Sequence, residues 1–170
     1  HLIARHCARG DQVRYLTRKQ SSESIASGSA FVGNLTSSVE HLREFARGAD
    51  VLYHCAAELH NEAEMQNTNV FGTANLIAAA GGEIGRWVQL SSTGVYGRKA
   101  LDDVYEDTAA NPANAYEISK EASDKALREA AQQQNLPCVM VRPSNVYGID
   151  MPNRSLFHLI SMIDRGLFFF

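Results

Sequence analysis

Apolar and polar residues recur with two different periods along the chain, and the pattern predicts an α/β protein. Short apolar runs bounded by turn residues predict buried strands over residues 11–17, 30–33, 50–54, 86–90 and 137–142. Segments with apolar residues every three or four positions predict helices over residues 1–9, 37–47, 61–80, 115–133 and 154–165. Strands alternating with helices of this length predict βαβ units and a parallel sheet covered on both faces.

Capping boxes mark the predicted starts of three of these helices. Asn114 is a good N-cap, and Glu117 falls at the third helical position, where its carboxylate can reach back to the cap. The same spacing is found at Ser37 with Glu40 and at Asn61 with Glu64. Gly72 lies inside the third helix, where glycine costs up to about 1 kcal/mol relative to alanine. Close helix–sheet packing would explain its presence.

Composition describes an ordinary globular domain. The chain has 170 residues, 45% of them hydrophobic and 21% charged, with a formal charge of -3. No basic excess indicates nucleic-acid binding, no apolar run approaches the ~20 residues needed to span a bilayer, and no signal peptide begins the chain. The three cysteines, Cys7, Cys55 and Cys138, are expected to be reduced core thiols of a cytoplasmic protein. No metal-ligand spacing is present, so His54 and His60 are interpreted as structural or surface residues.

Tyr116 and Lys120 are the strongest candidates for chemistry. They stand four apart in a predicted helix, so both side chains project from one face. A nearby cation lowers the pKa of a phenol, which would make the pair a proton donor and acceptor for a carbonyl or alcohol near neutral pH. The alternative is an amphipathic helix that carries this pair without function.

Other polar residues fall where open α/β sheets bind ligands. Ser91 and Ser92 follow a predicted strand, and the segment HCAA, residues 54–57, ends another at the same edge. The alternative for the two serines is helix or turn capping. The alternative for Asn69 is a polar contact within its helix.

Six motifs then occur in the order of a known family. They are VGNL at 32–35, HCAA at 54–57, NVFGTANL at 69–76, LSSTGVYG at 90–97, YEISK at 116–120 and RPSNVYG at 142–148. On these residues the chain resembles the extended short-chain dehydrogenase/reductases, the NAD(P)-dependent sugar epimerases, dehydratases and related reductases. Any one of these motifs is weak, but six in order span nearly the whole chain.

The resemblance implies a set of site residues. The implied catalytic residues are Tyr116 as acid/base, Lys120 on the nicotinamide ribose and Ser92 on the substrate oxygen. The implied cofactor-binding residues are Arg18, Lys19, Asn34, Leu35, Cys55, Ala56, Ala57, Asn69, Tyr116, Lys120 and Pro143. The implied substrate-binding residues are Ser92, Thr93, Tyr116 and Asn145. No metal is implied.

The family pattern is incomplete at both ends. Residue 1 already lies inside the helix that follows the family's first strand and glycine-rich phosphate turn. We therefore expect a Rossmann-like doubly wound parallel sheet that lacks its first strand and most of the C-terminal substrate lobe. Residues 1–150 would form a partial NAD(P)-binding domain, and residues 151–170 the truncated start of the substrate-binding lobe. Such a fragment should bind dinucleotide poorly and leave two neighbouring strands without a ladder partner.

Smaller departures bear on cofactor and reaction. Arg18 and Lys19 follow the second family strand where NAD-preferring members carry an acidic residue, which favours NADP over NAD unless both are simply solvated charges. Asn34 replaces an aspartate that often contacts adenine. Thr93 and Gly94 stand where nucleotide-sugar 4,6-dehydratases carry an Asp–Glu pair, which argues against that chemistry.

Three functional hypotheses remain open at this point. The leading one is a nucleotide-sugar epimerase or closely related oxidoreductase using Tyr116, Lys120 and Ser92. The second is an NADPH-dependent carbonyl reductase acting on a non-sugar substrate, and the third is a dinucleotide-sensing module without catalysis. Analogy with the family also suggests a homodimer formed through helices that include residues 62–80 and 115–133.

Overall fold

The computed structural model describes residues 1–19, 27–97, 103–148 and 155–167, and strands alternate with helices through them. The strands are β1 (Arg14–Thr17), β2 (Ser29–Val32), β3 (Ala49–His54), β4 (Ile84–Leu90) and β5 (Cys138–Val141). The α-helices are α1 (Leu2–Ala8), α2 (Val39–Ala46), α3 (Glu62–Met65), α4 (Gly72–Ala80), α5 (Ala115–Gln134) and α6 (Ser155–Asp164). A π-helical segment, Gln66–Phe71, joins α3 to α4, and a 3₁₀ turn, Thr93–Tyr96, follows β4. The predicted α/β class is confirmed.

All strand pairings are parallel, and they form two separate sheets. β1 pairs with β2, while β3, β4 and β5 form a second sheet in that order. Within the described ranges no strand lies between β1 and β3, so each of these two strands has a ladder partner on one side only. In a complete doubly wound sheet one further strand would lie between β1 and β3 and join the two sheets. The order β2, β1, gap, β3, β4, β5 is therefore the one expected when that central strand is not present among the described residues.

The hydrophobic core lies on one face of the three-stranded sheet, beneath α2, α4 and α5. Trp87 of β4 is fully buried there, and Leu42, Leu76 and Leu127 bring one side chain each from the three helices. Burial of these apolar surfaces fixes α5 across the sheet, and with it the position of the residues on its first turns. The position of α5 therefore follows from core packing.

The opposite face of the same sheet is covered less. The ring of His6, on α1, lies 5.3 Å from the ring of Tyr53 on β3. Tyr53, Val139 and Val141 nevertheless keep 41%, 46% and 43% of their surfaces exposed. The expected cover on both faces is therefore only partial within the described residues.

The predicted cap of α5 is confirmed, with one change in the return bond. Asn114 accepts a hydrogen bond from the backbone N–H of Glu117 at 2.9 Å. The carboxylate of Glu117 accepts from the N–H of Ala113 at 2.7 Å rather than from that of Asn114. The pair thus still satisfies two backbone donors at the helix entrance.

The other two predicted capping boxes are wrong in detail. The N-cap of α2 is Ser38, which accepts from the N–H of His41 at 3.3 Å, and not Ser37. Asn61 makes no side-chain cap at α3. The carboxylate of Glu58 accepts from the Asn61 N–H at 3.0 Å instead. This acceptor lies in the loop before the helix, whereas a capping box has its acceptor at the third helical position.

The thiols and the C-terminal helix also depart from expectation or remain untested. All three cysteines are free, and Cys7 and Cys138 are half-buried, but Cys55 is exposed and is therefore not a core thiol.

Helix α6 exposes several apolar side chains. Its assignment to a substrate-binding lobe beginning at residue 151 stays a prediction, and residues 149–154 and 168–170 lie outside the described ranges.

A search of the described helices for one long and apolar enough to cross a membrane finds none.

Gly72 lies at the closest approach between α4 and the loop after β2. A Cβ added there would lie 2.6 Å from the Cβ of Leu35, well inside van der Waals contact. The expected close packing is present, but the partner is the loop at Leu35 and not the sheet. This explains why glycine is found at a helical position that would otherwise favour alanine.

We expect Gly72→Ala to destabilise the protein by about 1–2 kcal/mol, because overpacking of 1–3 kcal/mol outweighs the helix propensity gained. Ala78→Gly at an exposed position of α4 is the matched control, since it measures the propensity difference without a clash. Urea unfolding midpoints of the two variants decide the point. If Gly72→Ala raised the midpoint, the contact with Leu35 would not constrain the helix.

Candidate active site

Tyr116 and Lys120 lie on the first two turns of α5, where the helix passes the carboxyl end of β4. The Lys120 side chain is buried, with the residue 4% exposed, and its Nζ donates a hydrogen bond of 2.5 Å to the carbonyl oxygen of Leu90. Tyr116, one turn earlier, is half-buried. The capped helix and the carbonyl of the last β4 residue together fix the ammonium in position.

The electrostatics of the pair differ from the sequence-based expectation. Burial raises the pKa of the Tyr116 phenol above its usual value. The prediction that Lys120 lowers the Tyr116 pKa is therefore wrong for the protein without a ligand. Burial lowers the pKa of Lys120, and the negative charge of Asp124 opposes this effect.

Ser92 stands directly after β4, at the start of the 3₁₀ turn. Its Oγ accepts a hydrogen bond of 3.1 Å from the backbone N–H of Gly94. A Cβ at Gly94 would lie 2.9 Å from the Cγ of Glu117, so this turn packs directly against the first turn of α5. The structure thus brings Ser92, Tyr116 and Lys120 to one edge of the sheet.

The ends of β4 and β5 are tied together beside this group. Pro143 accepts hydrogen bonds at its carbonyl oxygen from the Thr93 N–H at 3.1 Å and from the Thr93 Oγ1 at 3.3 Å. Asn145, two residues further, is exposed. Thr93 and Pro143 therefore belong to the same edge as Ser92, and the roles of all three in binding stay predictions.

Asn69 anchors the loop after β3 to α5. Its side chain is buried; Oδ1 accepts from the Glu58 N–H at 2.6 Å, and Nδ2 donates to the Glu58 carbonyl at 3.0 Å and to Ser119 Oγ at 2.9 Å. The π-helical segment that contains Asn69 leaves its backbone carbonyl to accept from the hydroxyls of Thr73 at 2.5 Å and Ser123 at 2.6 Å. The contacts are those of a polar clamp, and contact with a cofactor stays a prediction.

The loop held by this clamp carries the HCAA motif. Cys55 and Ala56 are exposed, and Ala57 is half-buried. Their small side chains leave the end of β3 open to a bound molecule beside Lys120.

A second group of predicted residues lies at the ends of β1 and β2. Arg18 and Lys19 are exposed, and Asn34 uses its Oδ1 to accept from the backbone and side chain of Thr36. The Leu35 side chain is only 6% exposed and belongs to the core. This group meets the rest of the site through α4, where Asn75 donates to the Leu35 carbonyl at 3.3 Å.

Two further residues of this edge, Asp124 and Arg142, were not predicted from the sequence, whereas Ser91 was expected there as a ligand-binding or capping residue. Ser91 is buried and donates to Asp124 at 2.7 Å, so it does not cap a helix or turn. Asp124 in turn accepts from Arg142. Asp124 follows Lys120 by four residues, so the helical spacing that singled out Lys120 also places Asp124 on the same face.

A cavity of about 300 Å³ lies on another side of α5, between this helix and the loop 103–110. Arg128, Arg142 and Glu121 line it, whereas Tyr116 and Lys120 do not. The side chain of Arg142 is held there by the Tyr96 hydroxyl at 2.5 Å. The cavity therefore shares Arg142 with the sheet edge but does not include the candidate catalytic group.

Comparisons with known proteins identify the family of this chain. A model of the NAD dependent epimerase/dehydratase family matches residues 1–167. The chain belongs to the NAD dependent epimerase/dehydratase family. It is 31% identical over 125 residues to a dTDP-D-glucose 4,6-dehydratase of Homo sapiens, covering 69% of this chain and 36% of the relative. It is 26% identical over 147 residues to a dTDP-glucose 4,6-dehydratase of Mycobacterium tuberculosis, covering 81% of this chain and 44% of the relative.

Solved structures give the same fold. A short-chain dehydrogenase/reductase superfamily protein from Agrobacterium tumefaciens, crystallised with bound NAD, matches with a TM-score of 0.73 and 26% identity, covering 83% of this chain and 44% of that one. The dTDP-glucose 4,6-dehydratase DesIV of Streptomyces venezuelae matches with a TM-score of 0.79 at 24% identity, over 97% of this chain and 58% of that one. The chain spans between a third and a half of the length of the curated relatives it matches.

The family's dinucleotide fits the residues at one end of the site. The Lys120 ammonium uses one of its three protons on Leu90, so two remain to meet hydroxyl groups. Beside it the loop with Ala56 and Ala57 offers small side chains. For a pyrophosphate, none of the described helices begins from a glycine-rich turn.

His54 is a buried, uncharged neighbour of Lys120. It is buried at the end of β3, and burial, with a smaller effect of the Lys120 charge, lowers its pKa to about 3. Thr73 donates its hydroxyl proton to the Asn69 carbonyl, so the hydroxyl oxygen accepts from His54 Nε2 at 2.8 Å. The imidazole is therefore neutral, with its proton on Nε2.

We expect His54 to make the stability depend on pH below about 6.5. Below pH 6.5 the imidazole of His54 binds a proton in the unfolded chain but not in the folded protein. The free energy of unfolding therefore falls by about 1.4 kcal/mol for each unit that the pH is lowered, or about 2 kcal/mol between pH 6.5 and 5. Urea unfolding of the wild type and of His54→Gln at both pH values measures this. The variant should lose that part of the dependence, and the exposed His60→Gln should keep it. Equal pH dependence in wild type and His54→Gln would contradict a neutral buried imidazole.

Proposed function

We propose that the protein is an NAD(P)-dependent oxidoreductase that inverts a carbinol carbon of a nucleotide sugar by reversible hydride and proton transfer. The observation that carries the proposal is the buried Lys120 ammonium, seated on the Leu90 carbonyl one helical turn from Tyr116. Desolvating an ammonium is costly, and a merely structural helix would place an apolar residue there. The turn at Ser92 packs against the same end of α5.

Ser92 and Tyr116 would act on the substrate oxygen. The Ser92 Oγ accepts from Gly94, which leaves the hydroxyl proton available for donation to a substrate oxygen. The Tyr116 phenol would give its proton to that oxygen on reduction and take it back on oxidation. A bound nicotinamide supplies the hydride chemistry, and Pro143 would lie near its ring. Asn145 and Thr93 would face the substrate.

Lys120 would serve both binding and acid–base chemistry. Its two remaining protons suit the neighbouring hydroxyls of a ribose. A ligand that fills the cleft excludes water, which strengthens the attraction between the ammonium and a phenolate forming on Tyr116. In this way the raised pKa of the Tyr116 phenol would fall when the site is closed.

The choice of reaction rests on two positions after Ser92. The curated relatives described above are dTDP-glucose 4,6-dehydratases, which supports a nucleotide sugar as the substrate class. This chain carries Thr93 and Gly94 there, and neither side chain can act as an acid or base for removal of water. We therefore propose epimerisation, with an NADPH-dependent carbonyl reductase as the second candidate because Arg18 suits a 2′-phosphate.

The experiment is incubation of the full-length protein and NAD⁺ with UDP- and dTDP-hexoses, followed by ¹H NMR of the sugar products. We expect Tyr116→Phe to reduce turnover by about 10²–10⁴-fold while the fold is kept, because the phenol proton is lost from the transition state. Circular dichroism checks the fold. Tyr105→Phe, at a tyrosine that is 62% exposed, is the matched control and should keep full activity.

Two outcomes would decide against the proposal. Net consumption of NADPH with a carbonyl panel, without change in any sugar, would establish the reductase instead. If the wild type shows no turnover and Tyr116→Phe binds dinucleotide as tightly as the wild type, the result would support the dinucleotide-sensing module.

We expect Arg18→Asp to weaken NADPH binding about tenfold, because a charge-assisted contact with the 2′-phosphate contributes on the order of 1.4 kcal/mol. Fluorescence titrations with NADPH and with NADH measure the effect, and NADH binding should change little or improve. Lys125→Asp, an exposed charge reversal on α5, is the control. If Arg18→Asp weakens the binding of NADPH and of NADH equally, Arg18 does not contact the 2′-phosphate.

A further inference from the structure

Asp124 is the most deeply buried carboxylate among the described residues, with no exposed surface. It lies one turn beyond Lys120 on the same face of α5. Its Oδ2 accepts from Ser91 Oγ at 2.7 Å and from Arg142 Nε and Nη2 at 3.2 Å and 3.1 Å. Its Oδ1 is buried and has no hydrogen-bond partner, which is costly for a carboxylate.

The two partners of Asp124 stand next to residues of the proposed site. Ser91 is followed by Ser92 at the end of β4, and Arg142 is followed by Pro143 at the end of β5. Asp124 therefore links α5 to both strand ends at the point where they leave the sheet. The contact between Thr93 and Pro143 closes the same junction from the other side.

The charges around Lys120 make Asp124 distinctive in a second way. Titratable or charged groups around Lys120 and Asp124 come from three places. His54 and Cys55 lie at the end of β3, and Arg142 follows β5. Tyr116 and Asp124 lie one turn before and one turn after Lys120 on α5. His54 is neutral, and Arg142 is a cation paired with Asp124. Asp124 is the carboxylate of this set, and its charge favours the protonated form of Lys120.

We propose that Asp124 is a positioning residue for the proposed reaction, which keeps Lys120 an ammonium and fixes the turns that carry Ser92 and Pro143. It does not touch the substrate. The inference rests on the proposed function for its role in turnover, but the link between Asp124 and Lys120 does not. The plain alternative is a structural ion pair between Asp124 and Arg142 to which Lys120 is indifferent.

A lysine titration followed by NMR separates the two. The protein is labelled with ¹³C-lysine, and the signal of Lys120 among Lys19, Lys99, Lys120 and Lys125 is identified by its loss in Lys120→Met. We expect Asp124→Asn to increase the acid dissociation constant of Lys120 at least tenfold. Glu121→Gln removes a carboxylate that pairs with Arg128 on another side of α5, and it should leave the Lys120 titration unchanged. If Asp124→Asn behaves like Glu121→Gln, the proposal is overturned.

A second measurement covers the case in which Asp124→Asn does not fold. The variant Asp124→Ser, which keeps a hydroxyl acceptor for Arg142, is then measured in its place: the same increase in the acid dissociation constant of Lys120 supports the proposal, and an unchanged value overturns it. With substrate turnover in hand, Asp124→Asn should shift the pH–rate profile and Glu121→Gln should not. If Asp124→Asn changes the acid dissociation constant of Lys120 but Tyr116→Phe has the same turnover as the wild type, the proposed function is rejected. The link between Asp124 and Lys120 then still stands.

Discussion

The buried ammonium of Lys120 is the constraint on which the arrangement of this sheet edge depends. An uncompensated charge in such a place would cost several kcal/mol, so the surrounding chain has to provide an acceptor and a counter-charge. The Leu90 carbonyl provides the first and Asp124 the second. Both requirements fix α5 against the carboxyl end of β4 more tightly than apolar packing alone would do.

Several independent contacts converge on the same geometry. Asn69 draws the loop after β3 toward Ser119, and Thr93 joins the end of β4 to Pro143. The Asn69 bond satisfies buried polar groups, whereas the Thr93 bond lies at the exposed end of β4, and each fixes a residue that the family motifs point to. These contacts join the loop after β3 to α5 and the end of β4 to that of β5, and positioning of side chains in this way is what catalysis requires.

The sequence predicted the features that depend on local spacing. The interval between Tyr116 and Lys120 and the Asn114 cap were readable because helical periodicity and capping act over a few residues. The order of strands and helices was readable for the same reason. The choice between Ser37 and Ser38 as a cap was not, because either hydroxyl can accept and the loop from β2 decides.

Features that depend on distant parts of the chain were not predicted. The Tyr116 pKa is raised by burial, which depends on the tertiary fold, so the spacing to Lys120 gave the wrong direction. The hydrogen-bond partners of Asp124, Ser91 and Arg142, directly follow strands β4 and β5 and are distant from it in sequence. The π-helical segment has no local sequence signal comparable to a cap, since its extra residue is stabilised by contacts of Asn69 with α5.

That segment has a consequence for how this region can vary in length. Each helical residue advances the chain by about 100° around the axis, so loss of one residue within Gln66–Phe71 would convert it to regular α-helix and rotate everything before it by that angle. Asn69 would turn away from Ser119, and Met65 would leave the interior. Exposed positions of the segment, such as Gln66 and Asn67, can therefore accept substitution, while a one-residue deletion would separate the loop after β3 from the helix that carries Tyr116.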